Sequence, residues 1–443
     1  MILKSIVNFL LVSIIFFIDQ LPAQTVNGLK GGSLYPASIG GNSLSINPAN
    51  FWISKKSSFS IMLPLSLQLH NNSVSPNWLN TYLLSGKYMD NETVNTMLDE
   101  IPDSGLLLNG HGNIMLFGLS YKRLAIYIGG TVDVYGTIPK SLFETGFQGI
   151  EFERNIDLNN TQFGFQSYLP ISFILSRNIG NNLYAGIGIK GLMGIGYFDM
   201  SGAGEILSQS DNLSGVGTLN LNYSLGEFNI VRDSLLSYST EQKFSPGING
   251  KGYAIDIGIT KVFSDSWTMG FTVQNIFGTI NWNGESSYRQ VLQFDVELFS
   301  DEFEEIGDYS DSQQDSLLEA IITEDNVYSI DNLKTIVPIK IELNNELQFG
   351  PKLLLFNSIS YEAASDIISE FQFELSGGLR WLYHRRFPVT LGITHSSLWG
   401  LKWGGGVGIH LSHYHLDILF SQNGGFSNEA KGFSLNLINY IYF

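Results

Sequence analysis

Apolar residues recur at every second position along most of this chain, and this alternation limits the possible fold more than any other feature. The final segment, residues 433–443, places Phe433, Leu435, Leu437, Ile441 and Phe443 on one face, interrupted only by Asn439. A β-strand directs alternate side chains to opposite faces, so such a segment has one apolar and one mostly polar face. The chain is therefore predicted to consist mainly of strands.

We count fourteen segments of this kind, the first being Phe59–Leu69. After the first strand the connections alternate strictly between short and long. Short turns are predicted near residues 122, 180, 265, 350, 385 and 412. The longer connections are predicted at about 71–112, 138–160, 201–250 and 283–335, with smaller ones near 362–369, 397–402 and 421–431. This arrangement is typical of a transmembrane antiparallel β-barrel whose short turns and termini are periplasmic and whose long loops are extracellular. The predicted class is all-β, with the barrel in residues 57–443.

Composition favours a membrane barrel over a soluble β-sandwich. Charged residues make up 15% of the chain, against roughly 25% in soluble domains, while aromatic residues make up 13% and glycines number 47. Many predicted strands are also longer than the ~5–6 residues usual in globular sheets. The chain has no cysteine, which excludes disulfides, and a net charge of −17, which disfavours nucleic-acid binding.

The N-terminal residues 1–23 read as a secretory signal peptide. Lys4 precedes a mostly apolar stretch from Ile6 to Ile18, and Ala23 provides a small residue for cleavage. A membrane anchor is the alternative, but the stretch is shorter than the ~20 residues of a spanning helix. Phe443 at the end of the last strand resembles the recognition signal of bacterial outer-membrane barrels, so we expect this protein in the cell outer membrane.

Residues 24–56, the candidate hatch segment, do not alternate, and a Gly-rich segment of this kind could be disordered or could fold inward and fill the lumen. Asn47-Pro48-Ala49 resembles the hatch signature of FadL-type fatty-acid transporters and of the related PorV-like outer-membrane proteins, although Asn50 replaces the usual glycine. Further similarity lies in residues 138–143, 252–258 and 273–278. The resemblance implies a fourteen-strand barrel with an internal hatch. In the transporters, hydrophobic ligands pass through a pocket and a lateral opening, whereas the secretion-linked branch binds other proteins.

Charged residues on the faces opposite the apolar rows are candidates for lining the lumen. They are Lys190, Asp256, Lys340, Glu342, Glu346, Glu374 and Arg380. They could line a polar path, or they could pair with one another inside a closed plug. Gly186, Gly188, Gly194 and Gly196 share one face of a strand, which could allow the hatch to approach closely or could mark a strongly curved strand.

Three other groups of residues are weaker candidates for a metal site or for catalysis. Residues 295–325 carry twelve acidic residues and no Lys or Arg, but they match no EF-hand pattern and favour a solvated loop over a calcium site. His410, His413 and His415 could approach a metal, yet no further ligand is evident beyond Asp417. His395 and Ser396 are adjacent, so in a strand they point to opposite faces and are unsuited to act as a base and its nucleophile.

We therefore expect a barrel without enzymatic activity, metal or cofactor. The favoured function is uptake or passage of small hydrophobic molecules, with Asn47, Pro48 and Ala49 in the gate. The alternative is a scaffold or secretion-associated partner protein in the outer membrane. The expected partners are outer-membrane lipid, a hydrophobic small molecule and, for the alternative, other proteins.

Overall fold

The structure is a computed structural model that describes residues 47–53, 59–86, 89–121, 123–148, 155–209, 212–225, 231–232, 238–239, 247–299, 321–368, 371–384, 386–411 and 413–442. The predicted signal peptide and most of the predicted hatch segment lie outside these ranges.

Strands dominate the described chain. They are β1 Phe59–Met62, β2 Leu65–Asn71, β3 Leu106–Tyr121, β4 Leu124–Ile138, β5 Asn155–Asp157, β6 Gln162–Gly180, β7 Leu183–Ser208, β8 Asn212–Ser224, β9 Val231–Arg232, β10 Tyr238–Ser239, β11 Gly250–Ser264, β12 Trp267–Trp282, β13 Ser287–Phe299, β14 Ile322–Ser329, β15 Lys334–Ile336, β16 Lys340–Phe349, β17 Leu353–Glu362, β18 Gln372–His384, β19 Phe387–Ser396, β20 Gly400–His410, β21 Tyr414–Asn423 and β22 Gly432–Tyr442. The helices are α1 Asn50–Ile53, α2 Pro76–Trp78, α3 Asn91–Asp99 and α4 Lys140–Gln148, with a π-helical turn Leu79–Leu83 after α2 and 3₁₀ turns at Gly284–Ser286 and Ser427–Glu429.

Fourteen antiparallel wall strands form a closed barrel, as the sequence predicted. The first wall strand is β1 followed by β2, and it pairs with β3 on one side. The wall continues through β4, β6, β7, β11, β12 and β16 to β22. The last strand, β22, then pairs with β1 and β2, with Leu65 opposite Leu437. This pairing of the first and last strands closes the ring.

The two faces of the wall differ in polarity. Outward-facing side chains form an apolar belt, in which Phe173, Ile189 and Leu391 each expose more than half of their surface. Inward-facing side chains on the same strands are largely polar and buried, including Ser172, Lys190 and Thr390. A soluble sandwich would bury its apolar face, so this distribution identifies a barrel with a lipid-facing exterior. None of the helices in the described ranges combines the length and the apolar character that a membrane-crossing helix requires.

The two ends of the barrel differ in the length of their connections. At the short-turn end, adjacent wall strands are joined by tight connections, such as Asn181–Asn182 and Asp265–Ser266. At the long-loop end, helices α2, α3 and α4 pack around Met97 and Ile101, which are buried. The long connections 201–250 and 283–335, which the sequence suggested were loops, contain paired strands. The end of β7 from Tyr197 to Ser208 pairs with β8, which pairs with β13, and β14 pairs with β13.

The wall is irregular on one side of the barrel. The first wall strand is interrupted at Leu63–Pro64, and the pairing of β3 with β4 shifts register between Met115 and Phe117. The next pair, β4 and β6, is joined at Ile128 and again at Thr131, but Gly129 and Gly130 have no backbone partners on β6. Pro170 lies opposite this stretch and has no N–H to donate. Three consecutive strand pairs are therefore interrupted in the same part of the wall.

Candidate functional site: the barrel interior

The described part of the N-terminal segment, residues 47–53, lies inside the barrel near the short-turn end. The Asn47 side-chain amide donates to Thr260 Oγ1 at 3.2 Å and to the backbone carbonyl of Phe271 at 3.4 Å. Ser176 Oγ donates to the Ala49 carbonyl at 2.9 Å, and Thr260 Oγ1 donates to Asn50 Oδ1 at 2.7 Å. Four strands, β6, β7, β11 and β12, therefore contact this segment, which we call the plug segment.

Glycines on the wall make room for the plug segment. Gly186 on β7 and Gly258 on β11 are register partners. A Cβ at Gly186 would clash with the Pro48 backbone, and one at Gly258 would clash with Asn47. Gly270 on β12 also faces the Asn47 amide. We call these three residues the glycine cradle. Asn47 and Pro48 can approach the wall this closely because no side chain stands between them and the backbone.

Asn47 also fixes the conformation of its own turn. Its Oδ1 accepts a hydrogen bond from the Ala49 N–H at 3.0 Å, which is the local side-chain-to-backbone bond that favours asparagine in turns. Phe51, in the helix that follows, is 4% exposed and belongs to an interior apolar cluster with Met115, Tyr127 and Ile174. Asn47, Pro48 and Ala49, the residues predicted for the hatch, thus lie against the inner wall, and their role as a gate stays a prediction.

Two of the predicted lumen-lining residues form a buried ion pair. Lys190 Nζ lies 2.8 Å from Asp256 Oδ2, and both side chains are at most 10% exposed. Asn275 completes the arrangement, because Lys190 Nζ donates to its Oδ1 at 2.9 Å and its backbone N–H donates to Asp256 Oδ1 at 2.9 Å. Asn275 has a φ of 58°, in a bulge of β12 that turns its backbone N–H toward the carboxylate.

Two further predicted residues pair with side chains outside this set of seven. Glu374 Oε1 lies 2.7 Å from Lys402 Nζ. Arg380 Nη1 lies 3.6 Å from Asp417 Oδ2, and Arg380 Nε donates to Thr390 Oγ1. Lys402 is buried on the inner face of β20, and the alternation of that strand together with its charge is a sequence signal of the same kind as that of Glu374.

Lys340, Glu342 and Glu346 follow one another along the inner face of β16. Lys340 and Glu342 are buried and Glu346 is partly buried. Among the described residues, Glu342 Oε1 has no hydrogen-bond partner. All seven predicted residues thus point inward, but they are spread over β7, β11, β16 and β18 and do not form one cluster.

A chamber of about 100 Å³ lies inside the barrel beside the irregular wall. Its polar lining includes His111, Asp133, Lys190, Lys340, Glu362 and Gln274, and its apolar lining includes Pro64, Met115, Pro170, Leu192 and Pro338. Gly129 and Pro170, from the interrupted pairing of β4 with β6, both line it. Part of the interrupted wall thus borders the chamber.

Ion pairing neutralises much of the charge around the chamber. His111 Nδ1 lies 2.6 Å from Asp133 Oδ1, and Lys190 is paired with Asp256. His111 lies outside the strand that alternation predicts from Ile114 onward, whereas β3 begins at Leu106. Asp133 faces inward, as Tyr135 does two residues later. Its charge on the inner face of the strand is therefore the sequence feature that could identify it as a lumen residue.

The weaker candidates are not assembled into a reactive site. His410 and His415 stack with ring centroids 4.4 Å apart, and His410 Nε2 lies 3.0 Å from Asp417 Oδ1. Within the described ranges, no group of three or more His, Asp or Glu side chains could hold a metal ion. His395 is exposed on the exterior while Ser396 is buried on the interior. Much of the acidic stretch 295–325 lies outside the described residues.

The fold and this interior define a membrane-spanning β-barrel that carries a plug segment and a small chamber. Residues 48–418 match the model of a family described as "Family of unknown function (DUF5723)". The chain therefore belongs to that family. A comparison with curated protein sequences finds no match.

Solved structures of outer-membrane transporters are similar in fold. The Ralstonia pickettii toluene transporter TbuX is 11% identical, with a TM-score of 0.49 over 94% of this chain and 100% of that one. The P. putida toluene transporter TodX is 10% identical, with a TM-score of 0.46 over 90% and 92%. A Pseudomonas aeruginosa FadL homologue is 10% identical, with a TM-score of 0.45 over 96% and 99%.

Proposed function

We propose that this protein is an outer-membrane channel that takes up small hydrophobic molecules and releases them sideways through its wall. The observation that carries the proposal is the position of the chamber, which borders Gly129 and Pro170 where β4 and β6 are not paired. We place the short turns and both termini on the periplasmic side. The plug segment then obstructs the axial route to the periplasm, which leaves the interrupted wall as the exit.

The size and lining of the chamber narrow the ligand class. A volume of about 100 Å³ is somewhat below the roughly 150 Å³ of a cavity that binds benzene, so a single-ring molecule lies at the upper size limit and requires the lining to move apart slightly, whereas a long alkyl chain is far too large. Met115, Pro170 and Leu192 offer apolar contacts, whereas Gln274 and His111 offer hydrogen bonds. Because Lys190 and His111 already have carboxylate partners, an uncharged ligand suits the chamber. A compact hydrophobic molecule with one hydrogen-bonding group, such as phenol, meets these conditions.

A disulfide across the interrupted pairing tests the exit. A Cβ on Gly129 would lie 3.3 Å from Pro170 Cγ, so the two positions are in contact across the interrupted pairing and are the natural choice for a pair of cysteines. We expect the oxidised Gly129→Cys/Pro170→Cys variant to take up labelled phenol into porin-deficient cells no faster than cells lacking the protein, and reduction to restore uptake. The chain has no native cysteine, so no other disulfide can form within it.

The matched control is a disulfide between two strands that are regularly paired. Ser358 on β17 and Ser376 on β18 are register partners whose side chains are buried in the interior. Oxidised Ser358→Cys/Ser376→Cys protein should take up phenol at the wild-type rate. Equal uptake by oxidised and reduced Gly129→Cys/Pro170→Cys protein would refute a lateral exit.

A scaffold role is the second candidate, and it is favoured by the strands at the long-loop end. In β14, Val327 and Tyr328 are more than half exposed although they lie in a paired strand. Exposed apolar residues in an ordered strand are suited to binding another protein. A stoichiometric partner that co-purifies with the wild-type protein, and not with a variant lacking residues 287–329, would support this role.

A further inference from the structure

A groove of about 460 Å³ lies on the lipid-facing exterior, away from the chamber and its exit. It crosses β12, β16 and β17, and its lining includes Trp267, Met269, Asn345 and Asn357. Asn345 and Asn357 are register partners, so the two carboxamides stand side by side. Gly377 on β18 is the next residue in this row, and a Cβ there would meet no atom within 4 Å. Short side chains in one row thus produce a notch in the wall.

The notch lies at the middle depth of the apolar belt. On β16 the outward-facing residues on either side of Asn345 are Leu343 and Leu347, and then Ile341 and Phe349. On β17 two outward-facing residues likewise flank Asn357 on each side, and all of them are apolar or aromatic. Both carboxamides therefore face the hydrocarbon core of the bilayer.

The polar groups of the notch are only partly satisfied within the described protein. Trp267 Nε1 donates to Asn345 Oδ1 at 2.6 Å. Among the described residues, the Asn357 side chain makes no hydrogen bond, and Asn345 uses only its oxygen. Polar groups left unpaired in hydrocarbon cost several kcal/mol, so residues of this kind normally mark a contact with another polar group.

We propose that the notch is the contact surface for a second copy of this chain, in a dimer whose two-fold axis runs along the membrane normal, between the Asn345–Asn357 rows of the two copies. A carboxamide carries both donors and an acceptor, so it is complementary to the same side chain related by a two-fold axis. Side-chain hydrogen bonds between small residues are a general means of association within membranes. A phospholipid fits less well, because its polar groups lie outside the hydrocarbon core while these carboxamides lie at its centre.

Cysteine cross-linking in membranes tests this dimer without background, because the chain has no native cysteine. We expect Asn357→Cys protein to be converted largely to a covalent dimer by a short bismaleimide. Ile189→Cys, on β7 away from the groove, provides the control because Ile189 is also outward-facing and 58% exposed. It should remain monomeric, and equal cross-linking of the two variants would overturn the proposal.

A second variant removes the hydrogen-bonding groups of the two asparagines and leaves the outer surface of the barrel apolar. Asn345→Leu/Asn357→Leu protein should still fold, judged by heat-modifiable migration on gels, and should be monomeric in lipid nanodiscs where the wild type is dimeric. Native mass spectrometry gives the two masses directly. The proposal fails if the wild type is monomeric, if the double variant remains dimeric, or if the wild type retains a lipid in place of a second copy.

Discussion

At the scale of single residues, the contact between the plug segment and the wall depends on missing side chains. Asn47 can bond to Thr260 and to the wall backbone because Gly258 and Gly270 leave its amide an open approach. The Asn47 carboxamide then makes two kinds of hydrogen bond, since its nitrogen donates to the wall and its oxygen accepts from the Ala49 N–H. Aspartate or leucine could not do both.

We expect Gly186→Ala to displace the plug segment. The added methyl group would overlap the Pro48 backbone, which cannot move aside as a flexible side chain would. Overpacking of this kind typically costs about 1–3 kcal/mol, so the temperature at which the barrel unfolds should fall. Gly191→Ala on the same strand is the control, because no atom lies within 4 Å of its Cβ position.

Heat-modifiable gel migration gives the unfolding temperature of both variants, and single-channel conductance reports on the plug. We expect higher conductance for Gly186→Ala alone. If Gly186→Ala and Gly191→Ala behaved alike in both measurements, the glycine cradle would not hold the plug segment.

At the scale of elements, strands were predictable where alternation was strong and were missed where it was weak. In β8, the stretch Asn212–Ser224 mixes Gly, Asn and Ser with its apolar residues, a composition typical of loops. Its extended conformation is set by pairing with β7 and β13, which no local pattern encodes. Alternation likewise showed that Glu374 faces inward, but not that it meets Lys402, because that contact depends on the relative shift of three strands.

The helix α3 at the long-loop end should respond to pH through its N-cap. Asp90 accepts from the Thr93 hydroxyl at 2.6 Å and from the Thr93 N–H at 2.9 Å. These hydrogen bonds hold the pKa of Asp90 below its usual value of 3.8. A lowered pKa means that the ionised cap stabilises α3 above pH 3.8, and that this stabilisation is lost as the pH falls through the pKa of the folded protein.

Hydrogen exchange of residues 91–99, compared between pH 5 and the lowest pH at which the barrel stays folded, measures this loss. Asp90→Asn supplies the control, because asparagine is an equally good N-cap and does not titrate. We expect a larger increase in opening for the wild type than for Asp90→Asn. An identical response of the two proteins would show that other groups govern α3.

At the scale of the whole molecule, the sequence predicted the barrel, its strand number and the polarity of its two faces, because these follow from local alternation. It did not predict the interruptions of the wall. Pro64 and Pro170 lie within alternating segments, and their effect depends on what their neighbours pair with. The apolar belt on the exterior, in contrast, runs around the entire ring of wall strands.

The belt predicts where a charge would be costly. Ile189→Arg places a cation on the lipid face near the middle of the paired part of β7, where such a substitution costs roughly 2–4 kcal/mol. Val327→Arg alters a similarly exposed residue, on β14 outside the barrel wall, and should change little. Urea-dependent folding into lipid vesicles measures both. Equal free energies of unfolding for the two variants would contradict a membrane-spanning wall.

The pairing of the first and last wall strands, which closes the ring, also determines the stage of folding at which the ring can close. Leu65 and Leu437 are paired although nearly the whole chain lies between them, whereas most other wall contacts join consecutive strands. Contacts between distant residues form slowly, because a long loop must be closed first. The other thirteen neighbouring pairs join wall strands that are consecutive along the chain, so this seam should be the last part of the wall to form during membrane insertion. Near Pro64 the first strand is interrupted, and a single bond from the Leu63 N–H to the Asn439 carbonyl bridges the seam there. The seam is accordingly where we expect a partly assembled barrel to remain open longest.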